Sequence, residues 1–300
     1  MSRQFLGSHT SFTRQESRFL IIPAPFDVTA SYGTGARFGP ARIIEASQQL
    51  ELFDEELLCE PWKAAIHTQE PLDLPVVVEK AQEVISSAVR MCLEEEKLPI
   101  LLGGDHSVSI GAIRAAHNHY GQIDILQLDA HADLRDEYQG TCYSHACVMR
   151  RIWGLGNVIQ AGIRSLSSRE WEFLKDQGRT PVFAKDILAE TDNALEKICR
   201  CLSGRPLYIT VDVDCMDPSV MPATGTPEPG GLQWQHILRL LGSVIHQADV
   251  IGLDVVELAP VPGLHYPEYT VARLIYKIIG YIAYARGLLD AQGPAHVSSA

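Results

Sequence analysis

No apolar run reaches about 18 residues, the length a helix needs to cross a bilayer. The first residues, Met1-Ser2-Arg3-Gln4-Phe5-Leu6-Gly7-Ser8, lack the apolar stretch of a secretion signal. Positive charge is scarce: 25 Lys and Arg stand against 37 Asp and Glu, a formal net charge of −12. Such a field repels phosphates and favours cationic partners at short range, so nucleic acid is not the expected target. Cysteine is sparse and irregular. The seven (Cys59, Cys92, Cys142, Cys147, Cys199, Cys201, Cys215) form an odd set, and Cys199 and Cys201 lie too close on one expected helix to bridge easily. A reducing compartment, the cytoplasm, is expected, with no membrane or nucleic-acid partner. Internal repeats, low-complexity tracts and linkers are also missing.

What is present suits a large core. With 46% hydrophobic and 21% charged residues over 300 positions, one α/β domain spanning 1–300 is expected, with short loose tails that include Gln292 to Ala300. Strand-like apolar runs occur at Phe19 to Ile22, Pro99 to Leu102, Ile123 to Leu128, Val158 to Gly162, Leu207 to Val211 and Val250 to Val255. They alternate with helical spacing at Leu74 to Glu96, Ser107 to Tyr120, Ser168 to Asp176, Asp192 to Cys201, Gln233 to Gln247 and Thr270 to Ala285. Nearly continuous apolar strands are buried on both faces, which predicts a three-layer α/β/α fold around a mostly parallel sheet. Asp214 to Leu232, rich in Pro and Gly, reads as an active-site loop. Tyr32 to Pro40 lacks the Lys-Ser/Thr of a phosphate loop and reads as a tight turn before a helix.

Chemistry collects where these strands end. His106 follows the second run, Asp129, His131 and Asp133 the third, Asp212 and Asp214 the fifth, and Glu257 the sixth. In open parallel sheets the crevice outside the carboxyl ends is where ligands bind, so topology should bring all four segments to one edge. The ligand types recur every second residue in Asp129-Ala130-His131-Ala132-Asp133 and again at Asp212 and Asp214. At an extended strand end they would point one way. A single Asp or His there is more often a cap, and Asp105 reads as one, capping the helix that begins near Ser107. Four carboxylates and two imidazoles together would repel and desolvate one another without cations. Oxygen and nitrogen donors without thiolate suit two Mn²⁺ or similar ions, which would acidify a shared water.

These motifs, with Gly103 to Ser107, Ser144-His145, Asp212 to Pro218, Gly225 to Gly231 and Asp254 to Glu257, resemble the ureohydrolase family of arginases and agmatinases from about Pro23 to Ile279. The resemblance implies an eight-stranded sheet, a homotrimer or homohexamer, and two Mn²⁺ per subunit. One ion would be held by His106, Asp129, Asp133 and Asp212, the other by Asp129, His131, Asp212 and Asp214. It also implies that His145 shuttles a proton and that Glu257 binds a guanidinium. Physical sense agrees: a carboxylate orients a planar cation by paired hydrogen bonds, and histidine changes charge near neutral pH.

Arg135 stands where arginases carry an Asn, and Asp133-Leu134-Arg135-Asp136-Glu137-Tyr138 resembles the archaeal-type agmatinase branch. A small cationic guanidino substrate, agmatine first, is therefore expected. Asp136 and Glu137 would attract its distal ammonium or else pair with Arg135, and Arg135 as a carboxylate reader keeps 4-guanidinobutyrate open. Aminopropylagmatine, guanidine and arginine are further alternatives. A pseudoenzyme would lack a ligand or Glu257, a deacetylase would use one Zn²⁺, and a phosphatase would want a basic clamp.

Overall fold

The computed structural model describes residues 4–10 and 12–289; the expected tail from Gln292 to Ala300 lies outside the described residues. Eight strands are β1 (Phe19–Ala24), β2 (Ile66–Thr68), β3 (Leu98–Gly103), β4 (Ile123–Leu128), β5 (Gly156–Ile163), β6 (Val182–Phe183), β7 (Leu207–Asp212) and β8 (Val250–Val256). They form one sheet in the order β2-β1-β3-β8-β7-β4-β5-β6, parallel at every pairing. Each parallel pairing needs a crossover, and helices supply most of them. These are α1 (Gly39–Ser47), α2 (Val78–Glu94), α3 (Ser109–Tyr120), α4 (Val148–Ile152), α5 (Ser168–Asp176), α6 (Ala184–Ala189), α7 (Thr191–Cys201), α8 (Trp234–Gln247) and α9 (Tyr266–Ala285).

The period of two along each strand divides the core. In β1, Phe19 and Ile21 face one apolar cluster with Ile43 of α1, Ile198 of α7, Leu240 of α8 and Leu274 of α9. Leu20 and Ile22 face a second, with Ile85 of α2, Ile113 of α3, Met149 of α4 and Leu174 of α5. Strands β1, β3, β4, β7 and β8 are therefore buried at every residue, which is why they read as continuous apolar runs.

Differences from expectation have local causes. Helix α2 starts at Val78 rather than Leu74, because Pro75 disfavours helical backbone at the residue before it. Helix α9 starts four residues early, at Tyr266, since Pro267 falls in its first turn, where no N–H is required. The segment from His106 is a 3₁₀ turn, His106–Val108, before α3 proper. Strands β2 and β6, three and two residues long, went unread.

Candidate metal centre

Strands β3, β8, β7 and β4 are consecutive in the sheet, so the four segments that follow them meet at its carboxyl edge. After β3 the chain needs glycine: a Cβ on Gly104 would stand 1.9 Å from the Phe26 carbonyl oxygen. Asp105 then caps the 3₁₀ turn, its Oδ1 accepting the Ser107 N–H at 3.0 Å, and His106 is buried.

The two alternating motifs are extended only in part: Asp212 is the last residue of β7 and His131 still bridges Ser165 in parallel, but each motif then turns. Strand β4 ends at Leu128, although the Asp129 N–H still donates to Ala161 O; Asp129 Oδ1 accepts the His131 N–H at 2.6 Å, and Asp133 adopts φ +52. Asp214 likewise lies on a 3₁₀ turn, Val213–Cys215, and its N–H donates to Asp212 Oδ1 at 2.9 Å. Short side chain to backbone turns aim these groups.

His106 Nδ1 lies 3.1 Å from Asp129 Oδ2, 3.0 Å from Asp133 Oδ2 and 3.4 Å from Asp212 Oδ2. None meets it in hydrogen-bond geometry, and this buried nitrogen has no hydrogen-bond partner among the described residues. Its other nitrogen, Nε2, is 2.9 Å from Thr210 Oγ1, whose hydroxyl donates to Asp254 Oδ1 at 2.6 Å. The threonine proton is thus committed and Nε2 carries the imidazole hydrogen, which leaves Nδ1 as the nitrogen a cation would take; against the downward pull of burial, Asp129, Asp133 and Asp212 push this ring well up. A lone pair and three carboxylate oxygens converging on one buried point suit a divalent cation. Nearby, His131 Nδ1 is 2.9 Å from Asp214 Oδ2 and 3.7 Å from Asp129 Oδ1. Asp129 belongs to both groups, His106-Asp129-Asp212 and Asp129-His131-Asp214.

The electrostatics carry the mark of crowded acids. Burial pulls the His131 imidazole down, yet Asp214 and Asp129 outweigh it and push it up to about 11. Against the upward push of burial, His131 holds Asp214 down at about 2. Burial, then Asp133 and Asp214, drive Asp129 up. Asp212 rises from burial and from Asp214 and Asp129.

Glu257 leaves β8 with φ +68, a conformation side chains other than glycine rarely hold. Its N–H donates to Gly104 O, and its Oε1 accepts the His106 N–H, both at 2.7 Å. Two loops cross beside it, where the Gly33 N–H meets Gly225 O at 3.3 Å. A Cβ on Gly225 would come within 2.8 Å of Gly33 O and 3.9 Å of Glu257 Oε2. His145 opens a 3₁₀ turn capped by Ser144. His145, Glu257, Ser31, Arg135, Tyr138 and Thr226 line a cavity of about 310 Å³ together with His106, His131, Asp133, Asp212 and Asp214.

The structure does not bring Asp136 and Glu137 to this cavity. Asp136 is 78% exposed and pairs with Arg151, not Arg135; Glu137 is exposed and outside the lining. Arg135 instead stacks over Tyr138, 5.0 Å from the ring centre. Two residues that hold the site went unread. Arg164 donates to backbone carbonyls of Gly162, Asp214, Cys215, Met216, Glu228 and Pro229. Asp217 accepts from Ser219, Gly230 and Gly231, and these donors hold its carboxyl down at about 2.

Fold and site together define an open parallel α/β protein with a paired His and Asp cluster, suited to metal ions, at its carboxyl edge. A sequence model described as "Arginase family" matches residues 17–280. An N(1)-aminopropylagmatine ureohydrolase of Synechocystis is 34% identical over 287 residues, 93% of this chain and 94% of that protein. An agmatinase of Bacillus cereus is 36% identical over 262 residues, 86% and 88%. The agmatine ureohydrolase of Thermoplasma volcanium superposes with a TM-score of 0.86 at 29% identity, covering 95% and 97%. The chain belongs to the arginase family, a class of binuclear metal enzymes, and is a hydrolase of carbon–nitrogen bonds in linear amidines.

Proposed function

We propose that this protein hydrolyses agmatine to putrescine and urea, in polyamine synthesis, with two Mn²⁺ per subunit. The observation that carries the metal reading is the buried, unpartnered His106 Nδ1 facing Asp129, Asp133 and Asp212. One ion is assigned to those four residues and the other to Asp129, His131, Asp212 and Asp214; oxygen and nitrogen donors without thiolate support manganese. Bound there, the ions supply Lewis acidity and a water acidified enough to act as nucleophile at neutral pH.

The remaining steps belong to the chain. Glu257, with Oε1 engaged by the His106 N–H, turns its other oxygen to the guanidinium and orients the carbon for attack. The water oxygen bonds to that carbon, the bond to the substituted nitrogen breaks, and His145 delivers the proton the departing amine requires. A guanidinium and water thus become urea and an alkylammonium. Tyr138, in the lining, is assigned to the alkyl part of the substrate tail, while the Arg135 guanidinium stacked on it would repel a tail ammonium and suits a carboxylate-ended tail, as in 4-guanidinobutyrate.

A second reading, N(1)-aminopropylagmatine, is favoured by the relatives of that name from Synechocystis and Thermus thermophilus, which match 92–93% of the chain. Urea release by Mn²⁺-loaded protein separates the two. Agmatine is expected to exceed aminopropylagmatine, arginine, 4-guanidinobutyrate and guanidine in kcat/KM by about tenfold or more. A preference for aminopropylagmatine would replace the first reading with the second.

The single sheet supports one ureohydrolase domain over 1–300. Among the described residues no helix is long and apolar enough to cross a membrane. A cytoplasmic homotrimer or homohexamer, with no nucleic-acid or membrane partner, completes the reading.

A further inference from the structure

His145 has two ring nitrogens, and proton delivery needs one of them free to face the substrate. Asp105 is wholly buried, and both of its oxygens are engaged by donors. Oδ1 takes the Ser107 N–H and hydroxyl, and Oδ2 takes the Thr29 N–H at 2.8 Å and the Thr29 hydroxyl at 2.9 Å. The Thr29 hydroxyl is the donor in its contact with Oδ2, so its single proton is committed to Asp105.

Thr29 Oγ1 can then only accept. It takes the His145 backbone N–H at 3.0 Å and lies 3.3 Å from His145 Nδ1. That second contact is attractive only when Nδ1 carries hydrogen. Ser144 Oγ, 3.2 Å from Nδ1, can donate or accept and so does not decide. On the other side of the ring, Ser31 Oγ is 3.4 Å from Nε2 and can donate to a bare nitrogen. Ser31 lines the cavity.

We propose that Thr29 sets the tautomer of His145, keeping the proton on Nδ1 and leaving Nε2 as the atom that takes and returns a proton in the cavity. This deepens the assignment of His145 and rests on it. Nε2 takes a proton from the attacking water and gives it to the departing nitrogen as the carbon–nitrogen bond breaks. The Nδ1 proton stays in place throughout, and the ring ends in the tautomer with which it began. Thr29 is a positioning residue: it touches neither substrate nor reacting atoms.

The test is long-range ¹H–¹⁵N correlation of histidine-labelled protein loaded with diamagnetic Mg²⁺, with the His145 signal assigned from H145N. At a pH where the ring is neutral, wild type and T29S should show the Nδ1–H form, and T29V a mixture or the Nε2–H form. In parallel, urea release by T29V should fall about 10- to 100-fold in kcat with KM nearly unchanged, and T29S should recover most of the loss. An Nε2–H ring in wild type, or an Nδ1–H ring that persists in T29V, overturns the proposal. If T29V does not fold, T29A, which also lacks the hydroxyl, is read in its place against wild type and T29S. If wild type releases no urea from any guanidine, the proposed activity fails while the spectra still report the tautomer.

Discussion

Arg164 Nη2 donates to the backbone carbonyl of Asp214 at 2.7 Å. The same guanidinium reaches Glu228 O at 2.8 Å and Gly162 O at 3.2 Å, so one side chain joins the end of β5 to both limbs of the loop after β7. Its planar fork lets five N–H groups meet carbonyls in different directions, which the single ammonium of lysine does not reproduce. R164K should therefore keep the fold but loosen Asp212 and Asp214. The expected result is roughly tenfold weaker metal binding by titration, in the range seen for residues that orient ligands. Unchanged affinity would show that the loop holds itself.

Glu257→Gln separates orientation from assembly. The amide oxygen can still accept the His106 N–H that Oε1 takes at 2.7 Å, so metal content should stay at the wild-type level. The charge facing the guanidinium is lost, and kcat/KM should drop by about 100-fold or more. Metal analysis and urea release on the same preparation check both halves; equal kinetics would remove Glu257 from its assigned place.

Chelation should destabilise the protein. With the ions gone, Asp129, Asp133, Asp212 and Asp214 crowd one buried space with only two imidazoles to compensate them. Melting with and without chelator should differ by on the order of 5 °C, the scale of losing a ligand held well above its Kd. In D129N, which lacks the carboxylate common to both groups, the chelator should have little effect and metal-dependent urea release should vanish.

Asp217 gives a pH signature with a definite sign. Its carboxyl is held down at about 2 by donors from Ser219, Gly230 and Gly231, whereas an unfolded Asp titrates near 3.9. Its contribution is thus fully present above about pH 4 to 5 and is lost as pH falls toward 2. In urea unfolding, D217N should be less stable than wild type by a constant margin from pH 7 to 5, and the margin should shrink below 4. A margin that grows on acidification would contradict the hydrogen-bond account.

What the sequence disclosed depended on distance along the chain. Six of the strands were legible because burial on both faces makes the runs read apolar, and His106, Asp129, Asp212 and Glu257 followed because topology fixes where strands end. The edge strands β2 and β6 are too short to form a pattern. The spacing of Asp129, His131 and Asp133 was informative for only part of the reason inferred: pairing continues to the His131–Ser165 bridge, but side chain to backbone turns also aim the groups. Arg164 was invisible because its partners are carbonyls, which every residue possesses. Asp136 was misread because its partner, Arg151, lies fifteen positions away on α4.

Strand β8, the last in chain order among the described residues, is inserted between β3 and β7 in the middle of the sheet. It brings Glu257 to His106 across a sequence separation of 151 positions. A nascent chain on the ribosome that has not yet released β8 therefore has a gap where its central strand belongs. Closing so long a loop is slow. Ribosome-bound chains stopped before Val250 would carry the proposed metal ligands but lack both Asp254 and Glu257, so orientation of a guanidinium waits until β8 has joined the sheet.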